Sequence, residues 1–206
     1  MLRQRHFLDT HKAATPFVVL GLIGYYSQWE NTTAWIYLAL HGSYGLLWLV
    51  KSNLFPDKSW EKEIHWTGGI GLLLVVGMYW VSPWIITSHA VQAPAWYLGL
   101  CVGLTVCGVF YMFVSDMQKH TYLTLRPNQL ITEGLWSNCR NPNYFGEFLI
   151  YAGLSLLAMH WLAMLVMAIF VTTWIPNMRK KDKSLSRHAG FEDYKKRSKI
   201  WIPFLI

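Results

Sequence analysis

Apolar residues run along this chain in long blocks, several of them approaching the ~20 residues that cross a bilayer as a helix. Six blocks stand out, at roughly 13–28, 32–50, 66–87, 95–114, 144–158 and 160–176, the last two joined tightly around His160. Polar links separate them, and the longest spans 115–140. The pattern predicts an all-α integral membrane protein: a bundle of about six transmembrane helices forming a single membrane domain over 1–206. The first block closes on Tyr25, Tyr26 and Trp29, which suit an interfacial belt, and it carries no small-residue cleavage site, so it is read as a retained span.

Composition agrees. The chain is 53% hydrophobic and 14% charged, against about 25% charged in a soluble domain. Charge placement then sets the topology. Of 18 Lys and Arg, nine lie between Arg179 and Lys199, and the rest precede span one (Arg3, Arg5, Lys12) or fall in the links after spans two and four. The loops at 29–31, 88–94 and near 159 have none. Six spans put every basic residue on one side, which predicts both termini in the cytoplasm. The net charge of +7 is thereby accounted for by topology and anionic lipid, without nucleic acid. It also offers a basic vestibule for a phosphate-bearing cofactor.

Cys101, Cys107 and Cys139 have no metal-ligand spacing, and no disulfide is expected. Gly99, Gly103 and Cys107 form a small-residue stripe, expected to pack inside the bundle.

The densest chemistry is the run Arg140-Asn141-Pro142-Asn143-Tyr144-Phe145-Gly146-Glu147. Pro142 suits the first position of a helix and Asn141 its N-cap. Asn143 and Glu147 then share a face, with Tyr144 beside them. Polar side chains at the mouth of a membrane helix are costly to keep and mark a site. The helix start attracts an anion, Arg140 stands next to it, and Asn143 and Glu147 suit a ribose or amide. The alternative is a capped helix whose Glu147 pairs with a base such as Lys119. A basic tail follows span six (Arg179, Lys180, Lys181, Asp182, Lys183, then Phe191-Glu-Asp-Tyr194) and is expected to form a cytosolic amphipathic helix or cap. A third cluster, Ser115-Asp116-Met117-Gln118-Lys119-His120, ends span four. His41 and Tyr44 share a face inside span two, where they can polarise a carbonyl or pass a proton, and His11 lies at the N-terminal mouth. No P-loop, G-x-G-x-x-G, G-x-S-x-G or H-E-x-x-H pattern occurs.

Over about 115–206, Ser115-Asp116, Gly134-Leu135-Trp136, the Asn141–Glu147 run and the closing Phe191-Glu-Asp-Tyr194 … Ile202-Pro203-Phe204 resemble the C-terminal half of steroid 5α-reductases, and more closely the bacterial membrane proteins grouped with them. The resemblance implies an NADPH-dependent reductase of the carbon–carbon double bond of an enone lipid, steroid-like or another isoprenoid, in a bacterial inner membrane. It makes 1–114 the substrate side and 115–206 the cofactor half. It places Asp116, Asn143, Glu147 and Arg179 at the dinucleotide, with Asn53, Tyr144 and Tyr194 as further contacts; Lys119, Arg140 and Asp182, from the polar clusters above, are candidate cofactor contacts beside them. The family's Gln-Glu pair and ketone-gripping tyrosine have no match here; His11, His41 and Tyr44 lie near the corresponding places as candidate catalytic groups. Those reductases have seven spans, against about six here.

The runner-up resemblance is to isoprenylcysteine carboxyl methyltransferases and related phospholipid methyltransferases, which bind S-adenosylmethionine at an Arg-His-Pro-x-Tyr run. This chain has Asn141 in place of the histidine, and Lys181-Asp182-Lys183-Ser184 where that family carries paired glutamates. A third reading is a non-catalytic lipid-binding protein, which takes up neither cofactor.

Overall fold

The computed structural model describes residues 2–205. Among them every regular element is helical: α1 Gln4–Tyr25, α2 Thr32–Leu54, α3 Trp66–Gly77, α4 Val81–Ser88, α5 Ala95–Leu125, α6 Pro142–Leu156, α7 Trp161–Leu185 and α8 Phe191–Arg197, with short 3₁₀ turns at Met78–Trp80 and Gly134–Trp136. Three helical stretches are long and apolar enough to cross a membrane: Trp66–Ser88, Ala95–Leu125 and Trp161–Leu185. The fold is all-helical and consistent with an integral membrane protein. Its residues fall into two compact units, 1–105 with 151–167, and 106–150 with 168–206.

In the first unit, α1 begins at Gln4 rather than near residue 13. The reason is local. The first amides of a helix lack intrahelical partners, and here Gln4 N–H donates to Lys62 O (3.0 Å) and Arg5 N–H to Trp60 O (3.0 Å). Arg3 and Arg5 both pair with Glu61. With its start anchored on 60–64, the helix takes in Asp9, His11 and Lys12, so Lys12 does not precede the first helix but is buried within it.

The buried positions of α1 are Leu8, His11, Lys12, Thr15, Val19 and Ile23, and those of α2 include Tyr37, His41, Tyr44, Trp48 and Lys51. Both sets recur at three- and four-residue spacing. Large apolar side chains such as Phe17, Leu20, Leu46, Leu47, Val50 and Leu54 point outward. The pattern is that of helices whose polar groups face inward and whose aliphatic groups face lipid. Pro16 supplies no amide to the Lys12 carbonyl, and α2 approaches closely there: a Cβ on Gly45 would lie 2.7 Å from that oxygen.

In the second unit, α5 and α6 meet backbone to backbone. A Cβ on Gly146 would lie 2.4 Å from Met112 N, and one on Gly108 would lie 2.6 Å from Ile150 N. This corrects the small-residue expectation. Gly99 and Gly103 have nothing within 4 Å of a would-be Cβ, and Cys107 is exposed. The packed small positions lie elsewhere on α5, at Gly108 in the second unit and, in the first, at Cys101 and Thr105 against Gly153. The 100° step per residue of the helix turns one stripe inward and the other outward.

Two further boundaries differ from the sequence reading. α5 continues to Leu125, so Asp116 and Lys119 stand on a helix and not in a link. The basic tail is not one helix: α7 runs on to Leu185, and α8 starts after Gly190, whose φ of 81° favours glycine.

Candidate functional site

The first unit brings His11, His41 and Tyr44 into one buried cluster and adds Lys12 and Tyr151. Lys12 Nζ donates to Tyr151 Oη at 2.8 Å. It sits 4.3 Å from the Tyr44 ring centroid, 5.4 Å from Trp48, 5.9 Å from Tyr79 and 5.3 Å from Tyr151. Negative ring faces attract a cation, more strongly where water is excluded. Tyr79 stacks on Tyr151 at 4.0 Å and 7°, and Tyr44 meets Tyr151 edge-on at 6.0 Å.

His41 Nδ1 and Tyr37 Oη share a 2.9 Å hydrogen bond, and the phenol also donates to Tyr79 O at 3.3 Å. His11 stacks on Trp80 at 4.9 Å, whose Nε1 donates to Thr15 Oγ1 at 3.0 Å. Both ring nitrogens of His11 and Nε2 of His41 are buried with no hydrogen-bond partner among the described residues. The Val76 backbone is a hydrogen-bonding neighbour of His11, though outside strict hydrogen-bond geometry. Lys12 and His11 both lie close enough to His41 to act on it in the same way. Asn53 stands apart from this cluster, exposed at the end of α2 with Nδ2 on Leu49 O.

The second unit holds the remaining predicted residues, with Asp182 at Arg140. The Arg140 guanidinium, 6% exposed, grips Asp182 bidentately, Nε to Oδ1 at 2.9 Å and Nη2 to Oδ2 at 2.9 Å. Nη1 donates to Ser198 O (2.6 Å) and Ser198 Oγ (3.1 Å). Ser198 Oγ donates on to Tyr194 O, Tyr194 Oη to Trp136 O at 2.5 Å, and Trp136 Nε1 to Ser115 O at 3.1 Å. Burial pushes the Tyr194 phenol up from its ordinary value. Arg140 and Asp182 are therefore committed to each other and to α8.

Pro142 does open α6. The Asn141 side chain accepts from Lys181 Nζ at 3.0 Å and donates to Ile200 O at 2.7 Å. Lys181 also donates to Arg140 O (2.9 Å) and lies 4.2 Å from the Trp136 ring. Asp116 and Lys119 are near enough to Lys181 to act on it electrostatically. Asn143, Tyr144 and Glu147 follow on α6, half-buried, with Tyr144 against Trp174 at 5.9 Å. Asn143 Oδ1 is a buried acceptor with no partner among the described residues. Arg179 is exposed on α7.

Sequence reasoning missed Lys12, Tyr151 and Tyr79 as members of a site. Lys12 was counted as a flanking charge, and a tyrosine inside an apolar block is ordinary until its neighbours are known. Among the described residues no group of three or more His, Cys, Asp or Glu is placed to hold a metal ion.

Over 124 residues the chain is 27% identical to the nickel-cobalt-cadmium resistance protein NccN of Alcaligenes xylosoxydans xylosoxydans, covering 59% of this chain and 58% of that protein. The chain thus matches less than two thirds of that curated relative's length. Residues 59–198 match the family described as "Protein of unknown function (DUF1295)". The chain belongs to that family, which lies in the steroid 5-alpha reductase-like superfamily.

Proposed function

We propose that this member of the DUF1295 family is a membrane oxidoreductase that uses NADPH to reduce the carbon–carbon double bond of an apolar enone lipid. Superfamily membership supports the reaction class. The observation that carries the site assignment is the buried, unmet acceptor Asn143 Oδ1 near the start of α6. A buried acceptor without a donor is costly, and a carboxamide or ribose hydroxyl supplies one. The exposed cations Arg179, Lys180 and Lys183 at the end of α7, with Arg187 just beyond it, suit phosphates. Bound there, NADPH supplies the hydride. Asn143 and Glu147 hold its amide end, while the Arg140–Asp182 pair fixes α8 behind it. His11, His41 and Tyr44 of the first unit belong to the lipid. The topology we assign is six spans with both termini cytoplasmic, in a bacterial inner membrane, because that arrangement puts the basic residues other than the buried Lys12 on one side.

The test is thermal shift of the purified, detergent-solubilised protein with NADPH and S-adenosylmethionine in parallel. NADPH is expected to raise the midpoint, and Asn143→Ala and Glu147→Gln to abolish that rise. An unchanged rise in both variants removes this site. A rise with S-adenosylmethionine alone reverses the reading to a methyltransferase, and no rise with either supports a non-catalytic lipid binder.

A further inference from the structure

We propose that a groove in the second unit, between the 126–133 loop, the 186–190 turn and Arg197, is a binding site for a phosphate ester. None of its lining residues belongs to the cofactor assignment above, so the inference stands apart from the reductase reading.

The groove has a volume of about 460 Å³, within the range of about 300–1,000 Å³ of small-molecule sites. Asn128, Gln129, Thr132, His188 and Arg197 line it, with small or apolar residues between them. Local chemistry turns both walls. Asn128 follows Pro127 and sits at φ 61°, in the left-handed region that asparagine tolerates better than most residues. Gly190 turns the opposite wall at φ 81°. Asn128 stands three residues beyond Leu125, the end of a helix long and apolar enough to cross a membrane. The groove therefore lies beside the end of a candidate span.

Its chemistry is one-sided. The lining offers a guanidinium, an imidazole, two carboxamides and a hydroxyl, and no carboxylate. None of these side chains has a hydrogen bond or ion pair elsewhere among the described residues. Two neighbouring carboxylates are engaged elsewhere: Glu133 pairs with Arg126 at 3.2 Å, and Asp193, one turn before Arg197, pairs with Lys196 at 2.8 Å. The Arg197 guanidinium lies 5.9 Å from the ring centre of Tyr194, a buried phenol fixed on Trp136 O. Its stem is thus held while its charge stays unpaired at the groove. Water satisfies any one of these groups alone. It does not account for a concave cluster drawn from three segments, all neutral or cationic, with the adjacent acids paired away from it. An unpaired guanidinium among neutral donors fits an anion. A phosphate ester fits best, because its terminal oxygens take the guanidinium fork together with amide and hydroxyl donors. The carboxamide oxygens of Asn128 and Gln129 are then left for hydroxyls of the esterified alcohol. The ester is either soluble or the headgroup of a lipid from the adjacent leaflet.

The probes are glycerol phosphate, a soluble ester, and dihexanoyl phosphatidic acid, the same ester carried on a lipid. Each is titrated calorimetrically against the full chain in nonionic detergent, alone and with NADPH present. At least one is expected to bind. Binding of glycerol phosphate assigns a soluble ester, and binding of the lipid alone assigns a membrane headgroup. Arg197→Gln is expected to weaken binding by about tenfold or more, the loss of a charge-assisted hydrogen bond. Asn128→Asp, which puts a negative charge in the groove at a φ that aspartate tolerates, is expected to weaken it at least as much. Lys195→Gln removes a charge outside the groove and is expected to change little. All three positions are exposed, so the variants read binding and not folding. No binding of either probe, unchanged binding in Arg197→Gln, or an equal loss in Lys195→Gln overturns the proposal. Displacement of the probe by NADPH also overturns it, because the groove would then belong to the cofactor.

Discussion

The two units handle buried charge in opposite ways. In the second, the Arg140 guanidinium is met on every side by Asp182, Ser198 and α8, and Lys181 by Arg140 O and Asn141 Oδ1. In the first, Lys12 lies among aromatic faces and donates to a phenol, beside histidine nitrogens buried without a hydrogen-bond partner among the described residues. A saturated network is a structural device: each donor it spends fixes one segment to another. An unsaturated one keeps bonding capacity in reserve at a cost in stability. The contrast separates residues that shape the molecule from residues that act on a ligand. It moves Arg140 and Asp182, both cofactor contacts in the sequence reading, toward the structural side.

The strongest way to break that division is at Arg140. Arg140→Met leaves the part-buried Asp182 carboxylate without its cation, a loss of about 3 kcal/mol for a largely buried pair. Thermal unfolding in detergent is expected to show a large fall in midpoint or no folded protein at all. Arg140→Lys should rescue little, because a point charge cannot span Asp182 and Ser198 at once. A folded Arg140→Met that has merely lost NADPH binding would place Arg140 among the ligand contacts and erase the contrast.

Packing gives a second cut. Gly146→Ala puts a methyl 2.4 Å from the Met112 backbone nitrogen, and backbone yields less than a side-chain tip, so a cost near 3 kcal/mol is expected. Gly99→Ala and Gly103→Ala meet nothing within 4 Å and should leave the midpoint unchanged or slightly raised, as alanine favours the helix. Equal effects at the three positions would show that the outward stripe is also packed.

Much of this was legible in the sequence. The blocks at 32–50, 66–87 and 95–114 each lie within helical stretches, and Pro142 marks the start of α6, because apolar run length and proline chemistry act locally. Helix ends were less legible. The start of α1 is set by backbone bonds to residues 60 and 62, and the glycine stripe that packs is set by helix rotation. The same limit hid the site. His11, His41 and Tyr44 could be named from residue type. Lys12 could not be told from an interfacial lysine, nor Tyr151 from a lipid-facing tyrosine, until long-range packing put them 2.8 Å apart.

The smallest expected effect probes how tightly the second unit is closed. Burial pushes the Cys139 thiol up from 9.0 to about 11, against weaker opposing pulls from the Asn141 backbone, Lys181 and Arg140. The group is neutral in the folded chain and donates to Trp201 O. Because the folded value is the higher one, the unfolded chain gives up its proton first as pH rises. The stability tied to the neutral thiol, at most roughly 3 kcal/mol, is fully present below about pH 9 and is lost between about 9 and 11. Tyr194, also pushed up by burial, adds a loss of the same sign at higher pH. Thermal midpoints of the wild type and Cys139→Ala across pH 8–11 isolate the thiol. The wild type is expected to fall more steeply above pH 9, with parallel curves below it. Parallel curves throughout would mean that water reaches Cys139, and that the second unit is less closed than its saturated Arg140 network implies.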